Sequence, residues 1–386
     1  MNKWIAAAGG FVLCVSNVLA QQIPAPVLAA NAWLLLDAKS GQTMAEHNSN
    51  VRVEPASLTK IMTAYLVFRA IKEHRLDVSQ LVTVSTRAWR VAPESSKMFL
   101  KPGQQVSIGD LLYGLLVQSG NDAAVALAEA TSGSVEAFVA QMNQTAKAIG
   151  LHATHFASPH GLPDPQTYSS ARDLSILALR ALLDYPALLE RYDSPKEFTY
   201  NKIKQENRNR LLWLDPSVDG LKTGHTKAAG YCLIASAQRP GPTVKRRLVS
   251  VVLGTDSNKA RTQESETLLN WGFQNFDTVR LYRKGQVVAR PKVWKGLENE
   301  VPLGFSRDIY LTLPRMAKIS GLPVITTDGP LIAPIPALSE VGTLKSTIGG
   351  RLVELPLVTL TGVQPAGLFG RTWDTVGLWV SQTFHG

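Results

Sequence analysis

Ser57-Leu58-Thr59-Lys60-Ile61-Met62-Thr63-Ala64-Tyr65-Leu66-Val67-Phe68-Arg69-Ala70-Ile71 contains no glycine or proline. Leu58, Ile61, Met62, Tyr65, Leu66 and Phe68 recur in it at helical spacing, which predicts a largely buried helix starting after Pro55, with Ser57 in its first turn. Ser-x-x-Lys on such a helix sets a hydroxyl and an amine one turn apart on one face. A neutral amine there could take the hydroxyl proton, and burial is what would make it neutral. An amide in the first turn also points where the helix dipole favours an oxyanion.

Upstream, Trp33-Leu34-Leu35-Leu36 and Gln42-Thr43-Met44-Ala45 flank Asp37-Ala38-Lys39-Ser40-Gly41, a hairpin around a glycine-containing turn. Downstream, Ser107-Ile108-Gly109-Asp110 resembles a capping box with Asp in place of Glu, opening a helix that runs to Ser119-Gly120-Asn121. Further helices are expected through Ala123 to Ala130, over 135–149 and over 170–190, the last two separated by Ser158-Pro159-His160-Gly161-Leu162-Pro163. The period then changes. Gly220 to Thr226, Tyr231 to Ala237 and Leu248 to Gly254 read as consecutive antiparallel strands, followed by a helix at Gln263 to Trp271. Strands at both ends with helices between predict an α+β domain: one antiparallel sheet covered by helices, the N-terminal hairpin pairing beside the later strands.

A length of 386 residues implies more than one core, and 45% hydrophobic with 18% charged residues excludes a disordered chain. Met1-Asn2-Lys3, an apolar run from Trp4 and Val18-Leu19-Ala20 before Gln21 read as a signal peptide over residues 1–20. The rival, a lipid anchor at Cys14, is disfavoured by the bulky Leu13 before it. Removal of the signal leaves Cys232 as the one cysteine, so no intrachain disulfide is expected. A formal net charge of +10 favours anionic headgroups or acidic wall polymers weakly over a merely soluble surface. The expected organisation is therefore a domain over 21–276, an all-β domain over 277–366, with alternating segments such as Asp308 to Leu313 and Leu352 to Leu360, and a tail over 367–386. On a helical wheel Phe369, Trp373, Val376, Val380 and Phe384 fall within about 80° of one another, opposite Arg371, Asp374, Ser381 and Gln382. Leu378 breaks this pattern. The tail is too polar to span a bilayer, leaving a helix that lies on a membrane or one packed on its own β-domain.

Three short patterns carry chemistry only in combination. Ser-x-x-Lys alone is expected by chance about once in a few hundred residues, and Ser119-x-Asn121 alone is more often a cap or turn. Lys222-Thr223-Gly224 is rarer; in a strand at a sheet edge it could offer an ammonium and a hydroxyl to a carboxylate, with Gly224 allowing close substrate approach. The three occur in that order, on a helix start, an interhelix turn and a strand, which is the signature set of penicillin-binding proteins and serine β-lactamases. Lys39-Ser40-Gly41 loosely mimics the third but precedes the nucleophile and reads as a turn. His160 lies in a Pro/Gly-rich loop and reads as structural, although histidine is the commoner general base. No histidine or cysteine spacing suggests a metal site.

The chain resembles the low-molecular-mass penicillin-binding proteins, specifically D-alanyl-D-alanine carboxypeptidases of the penicillin-binding protein 5 and 6 type. Besides the three patterns, Pro55 to Lys60, Tyr168-Ser169-Ser170-Ala171-Arg172-Asp173, Asn207-Arg208-Asn209 and Val218 to Thr226 carry the resemblance, which covers nearly the whole chain. Gly367-Leu368-Phe369-Gly370-Arg371-Thr372-Trp373-Asp374 looks like that family's membrane-surface anchor. The resemblance implies a penicillin-binding, transpeptidase-like catalytic domain at the periplasmic face of the bacterial inner membrane. It implies Ser57 as the acylated nucleophile, Lys60 as general base, and Ser119 with Asn121 relaying a proton to the departing D-Ala. Lys222 and Thr223 would hold the terminal carboxylate, with Gly224 beside them and Arg261 as a further partner. The amides of Ser57 and His225 would form the oxyanion hole. The implied partners are stem peptides ending in D-Ala-D-Ala, β-lactams and a membrane surface, with no nucleic acid, cofactor or metal.

Rivals are a DD-endopeptidase using the same acylation chemistry, a class A β-lactamase, and an idle wall-binding module. A class A β-lactamase needs a glutamate between the second and third patterns. Glu266-Thr267-Leu268-Leu269-Asn270 mimics that loop after Lys222, in the wrong order, and Gly120 departs from Ser-Asp-Asn. Intact Ser57, Lys60, Ser119 and Lys222 argue against an idle pocket.

Overall fold

A computed structural model describes residues 23–315, 317, 322–348 and 351–367, with the isolated positions 15, 16 and 375. The expected signal peptide and the expected tail helix lie almost wholly outside the described residues. The chain forms two compact units, Ala25–Asn275 and a second built from Phe276 onward.

In the first unit, β1 (Ala32–Asp37) and β2 (Thr43–His47) form the predicted hairpin, with Lys39 and Ser40 in its turn and Gly41 at φ +73°. β3 (Val218–Gly220), β4 (Thr223–Thr226), β5 (Gly230–Arg239) and β6 (Arg246–Thr255) complete a six-stranded antiparallel sheet. β1 pairs with β6, Leu34 facing Val251, so the first strand does join the last. The continuous apolar run of β1 follows from burial on both faces. Leu34 and Leu36 enter the core shared with the helices, while Trp33 and Leu35 enter a second core closed by Leu268, Leu269 and Phe273.

The helical layer comprises α1 (Lys60–Lys72), α2 (Ile108–Leu116), α3 (Asn121–Ser132), α4 (Val135–Ala148), α5 (Ala171–Asp184) and α6 (Pro186–Asp193). α7 (Asn258–Asn275) lies across the other face, longer at both ends than its apolar spacing indicated. Half of the expected capping box is present: Ser107 Oγ accepts from Asp110 N at 3.0 Å, while the Asp110 carboxylate accepts from the Ser107 hydroxyl at 2.8 Å. Two expectations need correction. The helix over 170–190 is two helices, because Pro186 has no N–H to continue α5 and instead opens α6. Ser57 lies in a 3-10 turn, Ala56–Thr59, that precedes α1 and is closed by Leu58 N donating to Pro55 O at 3.1 Å.

Over Phe276 to Gly367 the described residues of the second unit form strands and loops. β7 (Phe276–Tyr282) pairs with β8 (Ile309–Pro314), while β9 (Val324–Thr327), β10 (Glu340–Ile348) and β11 (Arg351–Thr359) form an antiparallel run. Val353, Leu355 and Leu357 alternate inward with Leu303, Phe305, Leu311 and Leu344, as the period of two required.

Candidate active site

A cleft of about 740 Å³ in the first unit is lined by Ser57, Ser119, Asn121, Thr223, Gly224, His225 and Arg261. The fold thus brings together residues scattered over 205 positions of chain. Lys60 and Lys222, 0% and 1% exposed, touch members of this set from beneath.

Ser57 is aimed by its turn. Ala56 is held at φ +49°, a left-handed conformation that costs a non-glycine residue about 1–2 kcal/mol. The loop before Leu162 clamps it: a Cβ on Gly161 would stand 2.0 Å from Ala56 O and 2.5 Å from Thr59 Oγ1. Being in a first turn, the Ser57 N–H has no acceptor within its own helix.

Lys60 Nζ contacts three oxygens: Ser57 Oγ at 2.9 Å, Asn121 Oδ1 at 2.6 Å and the His160 carbonyl at 2.7 Å. The last two can only accept. In a neutral amine they therefore occupy both hydrogens and leave the lone pair facing the Ser57 hydroxyl. Burial pushes the Lys60 ammonium well below its usual range, helped by the Lys222 and Arg208 cations and opposed by Asp122. His160 supplies that carbonyl, not a base. Its ring Nδ1 accepts from Leu162 N at 3.1 Å and lies 3.0 Å from Ser158 Oγ. Burial and then the Lys60 charge push its pKa down to about 3, so the ring is neutral.

Ser119, at φ +67°, is buried on the cleft wall with its hydroxyl unbonded. Asn121 opens α3, its N–H donating to Ser96 O at 2.8 Å. Next to it, the buried Asp122 carboxylate accepts from Met98 N at 2.8 Å, Leu100 N at 3.1 Å and Ala123 N at 2.9 Å, tying the preceding loop to the helix start. This packing also accounts for Gly120, where a Cβ would meet Asp122 Oδ1 at 2.9 Å.

Lys222 lies between β3 and β4, not within a strand, although Ile234 N still donates to its carbonyl at 2.9 Å. Its Nζ donates to Thr223 O at 3.0 Å. Gly224 has a further reason: a Cβ there would face Pro55 O at 3.1 Å and Leu58 Cγ at 3.2 Å, so its absence lets β4 pack on the nucleophile's own turn. His225 points outward and stacks on Tyr231 with ring centroids 4.0 Å apart. Arg261 is buried, not an exposed cation at a helix start. Its Nη1 donates to Gly224 O at 3.0 Å and Cys232 O at 3.3 Å, and its Nε to Asn258 Oδ1 at 2.9 Å.

Arg208, also on the cleft wall, was given no role from sequence. Asn207 donates to the carbonyls of Asp193 and Pro195, both at 3.0 Å, and Asn209 Oδ1 accepts from Leu211 N at 3.2 Å. The two amides brace the backbone on either side of Arg208, and the only sequence signal for this was the triplet Asn207-Arg208-Asn209. Glu266 belongs to α7, where Leu268 and Leu269 enter the core, far in sequence from any loop between Ser119 and Lys222.

A family model described as D-alanyl-D-alanine carboxypeptidase matches residues 19–257, and one described as penicillin-binding protein 5, C-terminal domain, matches residues 276–365. The D-alanyl-D-alanine carboxypeptidase DacC of Escherichia coli K12 is 43% identical over 373 residues, covering 94% of this chain and 92% of its own. The crystal structure of penicillin binding protein 5 from Haemophilus influenzae superposes with a TM-score of 0.82 at 41% identity, covering 89% of this chain and 99% of that one. Penicillin-Binding Protein D2 from Listeria monocytogenes, solved in its ampicillin-bound form, matches at 31% identity and a TM-score of 0.58, over 65% of this chain and 100% of that one.

Proposed function

Since the chain belongs to the D-alanyl-D-alanine carboxypeptidase family, we propose that Ser57 is the nucleophile of its reaction, Lys60 the base, and Lys222, Thr223 and Arg261 the seat of the substrate's terminal carboxylate. The protein is a serine-type D-Ala-D-Ala carboxypeptidase of the penicillin-binding proteins, acting on peptidoglycan stem peptides. The contact set of Lys60 carries the residue assignment: two carbonyl acceptors hold its hydrogens and turn its lone pair to Ser57 Oγ, 2.9 Å away.

Ser57 Oγ attacks the penultimate D-Ala carbonyl as its proton passes to Lys60 Nζ. The N–H groups of Ser57 and His225 receive the oxyanion. When the C–N bond breaks, the leaving nitrogen takes the proton from Lys60 through the Ser119 hydroxyl, which has no hydrogen-bond partner among the described residues. Water then attacks the ester with Lys60 again as base, and Ser57 regains its proton. A β-lactam enters the first half alike, but its leaving nitrogen stays tethered to the acyl group and keeps the exit occupied.

Lys60 must be neutral and Lys222 charged, so the first sets the acid limb of kcat/KM and the second the alkaline limb. The Arg208 cation lowers both pKa values. Arg208→Gln therefore moves both limbs to higher pH, by about half to one unit, besides weakening substrate capture. A pH series on a D-Ala-D-Ala pentapeptide measures this; limbs that stay in place refute the charge assignment.

The expected signal peptide, the basic surface and the apolar face of residues 367–386 support a peripheral location at the periplasmic face of the inner membrane. Full-length mature protein then floats with liposomes, and a truncation before Gly367 stays behind. Equal binding by both would exclude the tail as anchor.

A further inference from the structure

Asp193 ends α6 with its side chain buried, 1% exposed, and neither carboxylate oxygen meets a hydrogen-bond donor. Such a group calls for an explanation, since a buried anion without donors is costly. Burial above all works against its charge and pushes its pKa up to about 7. A helix C-terminus repels an anion, and Asp219 of β3 repels it too, although Arg247 at 2.7 Å pairs with Asp219. What favours the charge is Lys222.

The place of the carboxylate, beside the strand that leads to Lys222, is built into the backbone. A Cβ on Gly220 would lie 2.3 Å from Asp193 Oδ2, so only glycine lets the carboxylate press against β3, two residues before Lys222. Asn207 fixes the same position by donating to the Asp193 carbonyl at 3.0 Å. Lys222 for its part has one hydrogen bond, and its burial, then the Arg208 and Arg261 cations, push its pKa down to about 7. Asp193 is the group that opposes them.

We propose that Asp193 is a positioning residue acting through Lys222, its buried carboxylate keeping the Lys222 ammonium charged and ready for the substrate's terminal carboxylate. The inference rests on Lys222 being the carboxylate seat. With the countercharge gone, Lys222 loses its proton at a lower pH. On the acid side, where Lys222 is charged in both proteins, Lys60 keeps its pKa, because Asp193 is not itself among the groups that shift it.

Asp193→Asn in the full-length protein tests this by the pH dependence of kcat and KM on a D-Ala-D-Ala pentapeptide. The alkaline limb of kcat/KM moves down by about one unit, giving roughly tenfold loss at pH 8.5, mainly in KM. The acid limb stays, and the loss shrinks as the pH falls toward that limb, where Lys222 is charged in both proteins. A thermal melt of the same protein shows that the variant is folded over the pH range used. Should the asparagine variant not fold, Asp193→Ser replaces it in the same measurement. A uniform loss at all pH values, or superimposable profiles, overturns the role of Asp193. If Arg208→Gln and Asp193→Asn both leave the alkaline limb in place, it is Lys222 as carboxylate seat that fails instead.

Discussion

Replacing Ser57 by alanine leaves a folded protein that takes up no fluorescent penicillin and has lost D-Ala release by about 10⁴-fold or more. The size follows from the chemistry: without Oγ there is no acyl-enzyme, and what survives is water attack assisted by the oxyanion donors and by binding. The fold survives because the hydroxyl's contact is with Lys60 alone, worth about 1 kcal/mol. The turn itself is held by Pro55 O, by the Gly161 contact and by the packing of Gly224, none of which involves the Ser57 side chain. Gel fluorescence after labelling, with a thermal melt as control, reads both parts. Persistent labelling of the alanine variant would move the nucleophile elsewhere.

Loss of the base is the second large effect. Lys60→Arg keeps a nitrogen donor beside Ser57, Asn121 and the His160 carbonyl, but a guanidinium holds its proton throughout the accessible pH range. Acylation falls by about 10²–10⁴-fold, the usual share of general acid–base catalysis, and raising the pH does not restore it. The wild-type rate, in contrast, rises with pH through the lowered pKa of Lys60, because the neutral amine is the working form. Lys60→Ala, smaller than lysine, controls for crowding by the larger side chain. Stopped-flow acylation by a chromogenic cephalosporin measures all three proteins. Either variant retaining more than about a tenth of the wild-type rate removes Lys60 from the base role.

Local pattern made the helices and strands legible wherever one residue type dominated the outcome. Helical spacing in Leu58 to Phe68, the Ser107 cap and the alternation in β11 each follow from burial or hydrogen bonding within a few residues. The failures have physical causes of the same scale. Pro186 outweighed an apolar pattern that runs straight through it, and the tight turn at Ala56 depends on a loop a hundred residues away pressing on its carbonyl. The three ordered patterns assembled the reactive groups, because each is a short run on one element. Arg208, Asp122 and Asp193 escaped notice because each acts across the fold: a brace on a loop, a tie between loop and helix, a charge under a strand. Gly224 needs room for a second neighbour that the sequence does not reveal, the turn of Ser57 itself.

One of the two acceptors that orient Lys60 is the carbonyl of residue 160, so half of the aiming device has no side chain. Exchange of His160 for another residue cannot delete it, and a scan that truncates side chains one at a time will pass over it. Its inheritance is through the course of the main chain between Ser158 and Pro163: what selection can act on is the curve of a loop, and the chemistry of the lysine is written in that curve.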